Sequence, residues 1–413
     1  MSIQNKSHIL VVTQYFYPEQ FRINDICKEW VKRGYKVTVL TGIPNYPAGK
    51  FYPGYDLKHR RRECWNGIDI IRIPLIPRGN NAIGLASNYL SFVISGFFWK
   101  LFTKIDADIV FNYEVSPMTQ VYVGTWYAKK RRIPNYLYLT DLWPDNVEIV
   151  TGIHNKLFIN TIDSMCNHLY KNCDKIFTCS KSFVKILTER KVPGEKLEFW
   201  PQYSEDCYHP VSREDNILGE IPQDGRFNIV FAGNIGYAQG LGMLVDTACL
   251  LKKKNCAVRF NFVGDGRYKE EFIMKIQQND VDEYFNFIAK QPAERVPVYM
   301  AWSDATLICL SKSDAFSMTL PAKTQSCTAC GIPILVAADG EIQDVVNEAN
   351  CGFCSAAADP IGLAENIQKM MALSPEERKI MGENALQYSV MNFNKEKLLN
   401  AMDKYLNSNK IKI

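Results

Sequence analysis

The sequence predicts an α/β protein of two doubly wound, Rossmann-like domains that face each other across a cleft. Three observations carry that reading. Apolar runs of strand length alternate with stretches of helical periodicity along the whole chain. The alternation pauses at 201–210, a segment that begins and ends with proline, and then restarts. The chain has 413 residues, enough for two domains, and 47% of them are hydrophobic, enough for full cores. The expected division is 1–205, 206–390 and a final helical segment, 391–413, packing back toward the first domain. A net charge of +4 is too small for this length to suggest nucleic acid. Thirteen cysteines, an odd number scattered through predicted helices and strands, point to a reducing cytosol. The apolar run at 8–12 is too short for a secretory leader.

The first half opens with His8-Ile-Leu-Val-Val-Thr13 as a buried strand. A loop follows, carrying Tyr17 and Glu19. Residues 22–33 have helical periodicity through Ile23, Ile26, Cys27, Trp30 and Val31, and Arg22 begins that helix. Gly34 caps it and 36–40 is the next strand, completing a right-handed βαβ unit. Residues 42–55 form a mobile loop rich in proline, glycine and tyrosine. The 20 residues from 80 to 99 carry no charge. They fit three placements: a membrane span, a core helix, or an interfacial helix with Tyr89, Phe92, Phe97, Phe98 and Trp99 on its apolar side. The asparagines and serines within the segment weigh against a span. The basic run Lys58-His-Arg-Arg-Arg62 fits anionic headgroups or a solvated loop. Strands at 108–112 and 136–140 follow, and the second leads into Asp141-Leu-Trp-Pro-Asp145, a polar loop past a strand end.

The second half restarts with a strand at 227–232. Its glycine-spaced loop, Gly233-Asn-Ile-Gly-Tyr-Ala-Gln-Gly240, lets backbone amides approach a phosphate. Gly264-Asp-Gly266 holds half of a dinucleotide fingerprint, and Arg267 follows it. The chain then reads strand, loop, helix, strand, helix from 306 to 346. Pro321 opens the first of these helices and Gly331 closes it, while Gly340-Glu341 opens the second. Two helix N-termini thereby fall side by side at the carboxyl ends of parallel strands, where open α/β sheets bind ligands and where phosphate is favoured. Lys323, in the first turn, adds a full positive charge. Cys327-x-x-Cys330 and Cys351-x-x-Cys354 have zinc-ribbon spacing, but the first pair falls inside a predicted helix rather than on a knuckle.

The whole pattern resembles the retaining family 4 glycosyltransferases of the GT-B fold. The matching segments are 8–41, 227–244, Phe262-Val-Gly-Asp-Gly266, Ser303-Asp-Ala305, and the stretch through Gly340-Glu341 to Ala349-Asn-Cys-Gly352. Pro321-Ala-Lys-Thr-Gln325, Gly331-Ile-Pro-Ile-Leu335 and Asp141-Leu-Trp-Pro144 are similar to the branch that builds O-antigens, capsules and exopolysaccharides, which includes fucosamine-type aminosugar transferases. The resemblance implies metal-independent transfer of a hexosyl or N-acetylaminosugar group from a UDP- or GDP-sugar, without a cofactor. It implies a polyprenyl-linked or other saccharide acceptor at the cytoplasmic face of an inner membrane.

By the same resemblance the donor is held by Gly233, Asn234, Gly236, Gln239, Gly240, Arg267, Gln291, Asp314, Pro321, Gln325, Ser326, Gly340 and Ile342. Asp141, Lys323 and Glu341 serve the chemistry. Tyr17, Glu19 and Arg22 lie on the acceptor side. The chain departs from the family in four places. Asn234 and Gln239 stand where most members have Arg and Lys. Ser326 stands at the second Glu of the Glu-x7-Glu motif, and Thr140 at a histidine. Lys323 is left as the best cation, with Arg267 in reserve. Two other readings remain: a nucleotide-sugar 2-epimerase on the same fold, and a non-catalytic subunit of a polysaccharide assembly complex.

Overall fold

A computed structural model describes residues 6–79, 81–147, 155–214 and 218–407. Asn80, the first residue of the uncharged segment, and the basic tail after Asn407 lie outside them. The chain divides into two compact units, Met1–Trp200 with Asn400–Ile413, and Pro201–Leu399.

In the first unit the elements run β1 (His8–Val12), α1 (Arg22–Lys32), β2 (Lys36–Gly42), β3 (Arg62–Trp65), β4 (Ile68–Ile73), α2 (Ala82–Phe102), β5 (Ile109–Glu114), α3 (Val121–Arg131), β6 (Asn135–Leu139), α4 (Lys156–Lys171), β7 (Lys175–Thr178), α5 (Lys181–Glu189) and β8 (Leu197–Phe199). Among the described residues they form one eight-stranded sheet in the order β3-β4-β2-β1-β5-β6-β7-β8. Every pairing is parallel except β3 with β4. Strands β1, β5 and β6 are buried along almost their whole length, as expected for central strands of a parallel sheet covered on both faces. Helix α1 buries Ile23, Ile26, Cys27 and Trp30 on one stripe. Strand order reverses between β1 and β5, so the ligand-binding position of this sheet is the carboxyl edge there.

The second unit runs β9 (Phe227–Ala232), α6 (Met243–Lys253), β10 (Val258–Val263), α7 (Lys269–Gln278), β11 (Phe285–Ile288), α8 (Val296–Ala301), β12 (Ala305–Cys309), α9 (Asp314–Ser317), α10 (Lys323–Ala329), β13 (Ile334–Ala337), α11 (Glu341–Ala349), β14 (Gly352–Ser355), α12 (Pro360–Ala372) and α13 (Pro375–Asn392). Helix α14 (Lys395–Asn407) begins in this unit and ends in the first. The sheet order is β11-β10-β9-β12-β13-β14, all parallel, which is the Rossmann order with its switch point between β9 and β12. Ser374 and Glu377 form a reciprocal capping box that starts α13, with Pro375 in the first turn.

Several details differ from the sequence expectation. Helix α10 begins at Lys323; Pro321 precedes it, and its carbonyl accepts from Thr324 N at 2.9 Å. The loop after β12 contains the short helix α9. The 201–210 segment is packed rather than free: Tyr203 is buried and Ser204 N donates to Phe393 O at 3.3 Å. The 42–55 loop is pinned where Glu19 accepts from Asn45 N and Tyr46 N. Helix α2 turns Tyr89 and Phe92 inward and leaves Phe97 and Phe98 exposed. No helix among the described residues is long and apolar enough to cross a membrane. None of the thirteen cysteines is joined in a disulfide. Cys327 meets Thr306, while Cys351 and Cys354 meet the carbonyls of Val346 and Gln343.

Candidate active site

In the second unit the candidate residues gather over the β9/β12 switch point. Lys323, the first residue of α10, reaches back to the loop after β9. Its Nζ donates to Gln239 Oε1 at 2.9 Å and lies 3.5 Å from the centre of the Phe231 ring. Burial pushes the lysine down to about 8, because the charged form gives up water. Gly233 makes this approach possible. Its φ is +134°, and a Cβ there would stand 2.9 Å from Lys323 Cε. A 3₁₀ turn, Tyr237–Gln239, ends at Gly240, and Ser311 ties it to the β12 loop by donating from N to Ala238 O at 2.9 Å and from Oγ to Tyr237 O at 2.6 Å. The Asn234 side chain fills the space beside Gly236 and comes close to Gly266.

Asp314 is exposed at the start of α9. The end of that helix touches the other predicted N-terminus: a Cβ on Gly340 would fall 1.8 Å from Ser317 O. Glu341 is buried in the first turn of α11, and Ile342 beside it is fully buried. In this turn Gln343 N already donates to Gly340 O at 2.9 Å, while the first two N–H groups of a helix lie outside its own ladder. Gln325 and Ser326 are buried in α10. In the orientation that satisfies its amide, Gln325 donates to Pro321 O at 3.2 Å and Ala322 O at 3.0 Å. Arg267 is exposed on the loop after β10, and Gln291 lies on the loop after β11 with its amide on Ala289 O at 3.2 Å. Neither is hydrogen-bonded to Lys323 among the described residues.

In the first unit the carboxyl edge carries acids. Asp141, two residues past β6, accepts at Oδ2 from Ser116 N at 2.8 Å and Ser116 Oγ at 2.7 Å. Trp143 Nε1 donates to the same hydroxyl at 3.0 Å. Beneath lies Glu114, the last residue of β5 and fully buried. Its Oε2 accepts from Asp141 N at 3.2 Å, and its Oε1 has no partner among the described residues. Burial first, then the neighbouring Asp141, raises its carboxyl well above the ordinary range. Glu114 and Ser116 were not read from the sequence. The signal for them was polar residues at the end of an apolar strand, just before a proline.

The predicted acceptor residues follow β1. Tyr17 stacks on Trp65 with ring centres 4.2 Å apart. Glu19 is buried, and burial raises it to about 7 even though its Oε1 accepts from Asn45 N at 2.8 Å and Tyr46 N at 2.6 Å. Arg22 and Asp141 both lie close enough to bear on the buried Tyr113 hydroxyl. The chain does contain Asp-x-Asp triplets, Asp106-Ala-Asp108 and Asp280-Val-Asp282, but they precede β5 and β11 at the opposite, amino-terminal edges. Among the described residues no cluster of three or more His, Cys, Asp or Glu side chains is placed to hold a metal ion.

Two Rossmann-like units, one with a lysine-backed glycine loop at its switch point, define a glycosyltransferase of the GT-B type. The family model described as glycosyltransferase family 4 matches residues 21–202, and the model for glycosyl transferases group 1 matches 213–388. The chain belongs to the family 4 glycosyltransferases. It is 24% identical over 329 residues to WcaI of Escherichia coli (strain K12), assigned to glycosyl transfer in colanic acid biosynthesis, covering 75% of this chain and 77% of that one. Among solved structures, sucrose-phosphate synthase from Thermosynechococcus elongatus superposes with a TM-score of 0.72 at 14% identity, over 97% of this chain and 98% of that one. Anabaena Alr3699/HepE in complex with UDP and glucose gives 0.69 at 15% identity, over 97% and 100%.

Proposed function

We propose that the protein transfers a sugar, with retention at the anomeric carbon and without a metal, from a UDP- or GDP-sugar to a hydroxyl of a polyprenyl-linked saccharide in bacterial surface polysaccharide synthesis. The observation that carries the donor half is the Lys323 ammonium laid across Gly233 and held by Gln239. Breaking the glycosidic bond leaves charge on a diphosphate. Fixed donors aimed at that charge supply the largest catalytic term. Lys323, the Gly233–Gly240 loop and the first turn of α11 are such donors. The leaving phosphate accepts the acceptor proton, and Asp141 orients a sugar or acceptor hydroxyl. The likeness to WcaI and to a UDP-bound structure supports the substrate class.

The test is a thermal shift of the purified protein against UDP, GDP, ADP and NAD, with and without magnesium. A ligand that binds only the folded state raises the midpoint by mass action. The expected result is a magnesium-independent shift with UDP or GDP. A shift with NAD alone would overturn the reading. Donor binding without turnover on any acceptor would favour a non-catalytic subunit, and conversion of donor alone would favour an epimerase.

A further inference from the structure

The outer face of α2 is apolar and uncovered within its own unit. Leu90, Ile94, Phe98, Leu101 and Phe102 recur at three- and four-residue spacing, and Ile83 stands seven residues, two turns, before Leu90, which places them along one side of the helix. All are exposed, Ile83 and Phe102 each by 79%. The opposite side, Leu85, Asn88, Tyr89 and Phe92, is buried. Surface apolar residues are normally scattered, so a continuous stripe of this length marks an interaction surface.

The neighbouring charges say what covers it. Gly96 lets α3 pack closely, since a Cβ there would meet Val123 at 2.3 Å, and Phe97 stacks edge-on against Trp126 at 5.6 Å. The two helices therefore run side by side and end together. Lys130 Nζ donates to Lys100 O at 2.9 Å and Leu101 O at 3.1 Å. Lys100, Lys104, Lys129, Lys130 and Arg132 thus collect at the end that also carries Phe98, Leu101 and Phe102. Neither helix contains an acid. Of the acids that follow α2, Asp106 pairs with Arg131 at 3.6 Å and Asp108 accepts from His8 N at 2.7 Å. Arg78, beside the other end of the stripe, is cationic too. Pairing with a second copy would therefore set cations against apolar residues or other cations in either direction. An anionic surface with an apolar layer beneath it satisfies both features.

We propose that the α2 stripe and the cations at the ends of α2 and α3 dock the first unit on an anionic lipid bilayer. The stripe enters the headgroup–acyl boundary, and the cations meet lipid phosphates. The same helix reaches the candidate acceptor side on its buried face, where Gln14 Nε2 donates to Asn88 Oδ1 at 2.6 Å and Asn88 reaches Asn45. That this brings the enzyme to its acceptor rests on the reading of a lipid-linked substrate. The docking itself does not.

Flotation of the full chain with vesicles of phosphatidylcholine, alone or mixed with phosphatidylglycerol, tests it. The wild type floats with the anionic vesicles, less with neutral ones, and is released by salt. Phe98→Glu with Phe102→Glu abolishes flotation while the thermal midpoint and its UDP or GDP shift are kept. Lys100→Glu with Lys104→Glu removes the preference for anionic vesicles. No flotation of the wild type, or undiminished flotation of the Phe98→Glu/Phe102→Glu variant, overturns the proposal. So does a dimer, seen by light scattering, that this variant breaks in the absence of lipid binding. Flotation without a nucleotide shift would sink the donor reading and leave the docking face standing.

Discussion

Lys323 Nζ and Gln239 Oε1 are 2.9 Å apart, joining the first residue of α10 to the loop after β9. In most of the family the loop position itself is a lysine. Here an amide stands there, and the cation arrives from the neighbouring helix. The charge is supplied at the same loop by a different element. Replacing Lys323 by Ala is expected to lower kcat by about 10²–10³-fold, the size of removing one donor to a developing charge. The variant should stay folded, because the deletion also relieves a desolvated ammonium. Near wild-type turnover, with folding checked by circular dichroism, would show that the diphosphate is held elsewhere.

The low value of this lysine gives a pH signature. In the free enzyme Lys323 loses its charge near pH 8, so kcat/KM for the donor should fall as pH rises through about 8. Lys323→Arg should keep its charge and flatten that limb. Folding responds in the opposite direction. The lysine titrates near 8 when folded and near its ordinary value when unfolded. Between those values the unfolded chain binds more protons, and this residue's contribution to stability improves as pH rises. A Lys323→Met variant should lose that slope in denaturant titrations above pH 8. An unchanged slope would mean that the ammonium is better solvated than its contacts indicate.

The alternation of apolar runs and helical periods was enough to read both sheets, since buried parallel strands and their crossover helices differ in length and period. The Gly233 loop and Lys323 were legible because glycine spacing and a lysine two residues after a proline are local signals. Glu114 was not. Its partner Asp141 lies just past the end of the next strand, and the two meet only because Glu114 pairs in register with Leu139. Parallel register depends on strand order, which local sequence does not encode. Arg72 is a similar case: it is buried against Glu63 of the antiparallel edge strand β3, and the Arg62–Ile71 register decides that. The 80–99 segment has no charged side to read, and its inward face is marked instead by Asn88 meeting Gln14 and Asn45.

Gly340 is the backbone position least tolerant of a side chain at the donor edge. Its φ is +85°, and a Cβ would stand 1.8 Å from the carbonyl oxygen of Ser317. Gly340→Ala should destabilise the second unit by at least about 1–3 kcal/mol, since strained φ and overlap act together. Thermal melts with and without UDP or GDP read the effect. A midpoint unchanged from wild type would mean that the α9 segment gives way freely.

Glu19 should couple the 42–55 loop to pH. Its carboxyl titrates near 7 in the folded protein, well above its ordinary value, because burial outweighs the two backbone N–H groups it accepts from. Between the ordinary value and 7 the folded state holds the extra proton, so this residue's contribution to stability declines as pH rises through that window. Glu19→Gln keeps an acceptor for Asn45 N and Tyr46 N and removes the titration. The stability difference, variant minus wild type, should become more favourable from pH 5 to pH 8. A difference independent of pH would show that the carboxylate is ionised throughout.

Asp141 separates a structural role from a chemical one. Its Oδ2 holds Ser116 through two hydrogen bonds, and its backbone N–H rests on the fully buried Glu114. Asp141→Asn keeps an acceptor for Ser116 and loses only the charge. Asp141→Ala leaves Ser116 N without its partner, a loss that costs about 1–3 kcal/mol when the group is buried. If Asp141 serves only to build the turn, Asn should restore both stability and turnover. If the carboxylate orients a sugar hydroxyl, Asn should restore stability while kcat stays low and the donor KM changes little. Glu114→Gln provides the control, because it removes the ionisable neighbour of Asp141 and keeps an acceptor for its N–H. That variant should remain active, because burial and the neighbouring Asp141 already raise the Glu114 carboxyl well above its ordinary range and so favour its neutral form. Inactivity of Glu114→Gln with an intact fold would instead place the essential charge on Glu114.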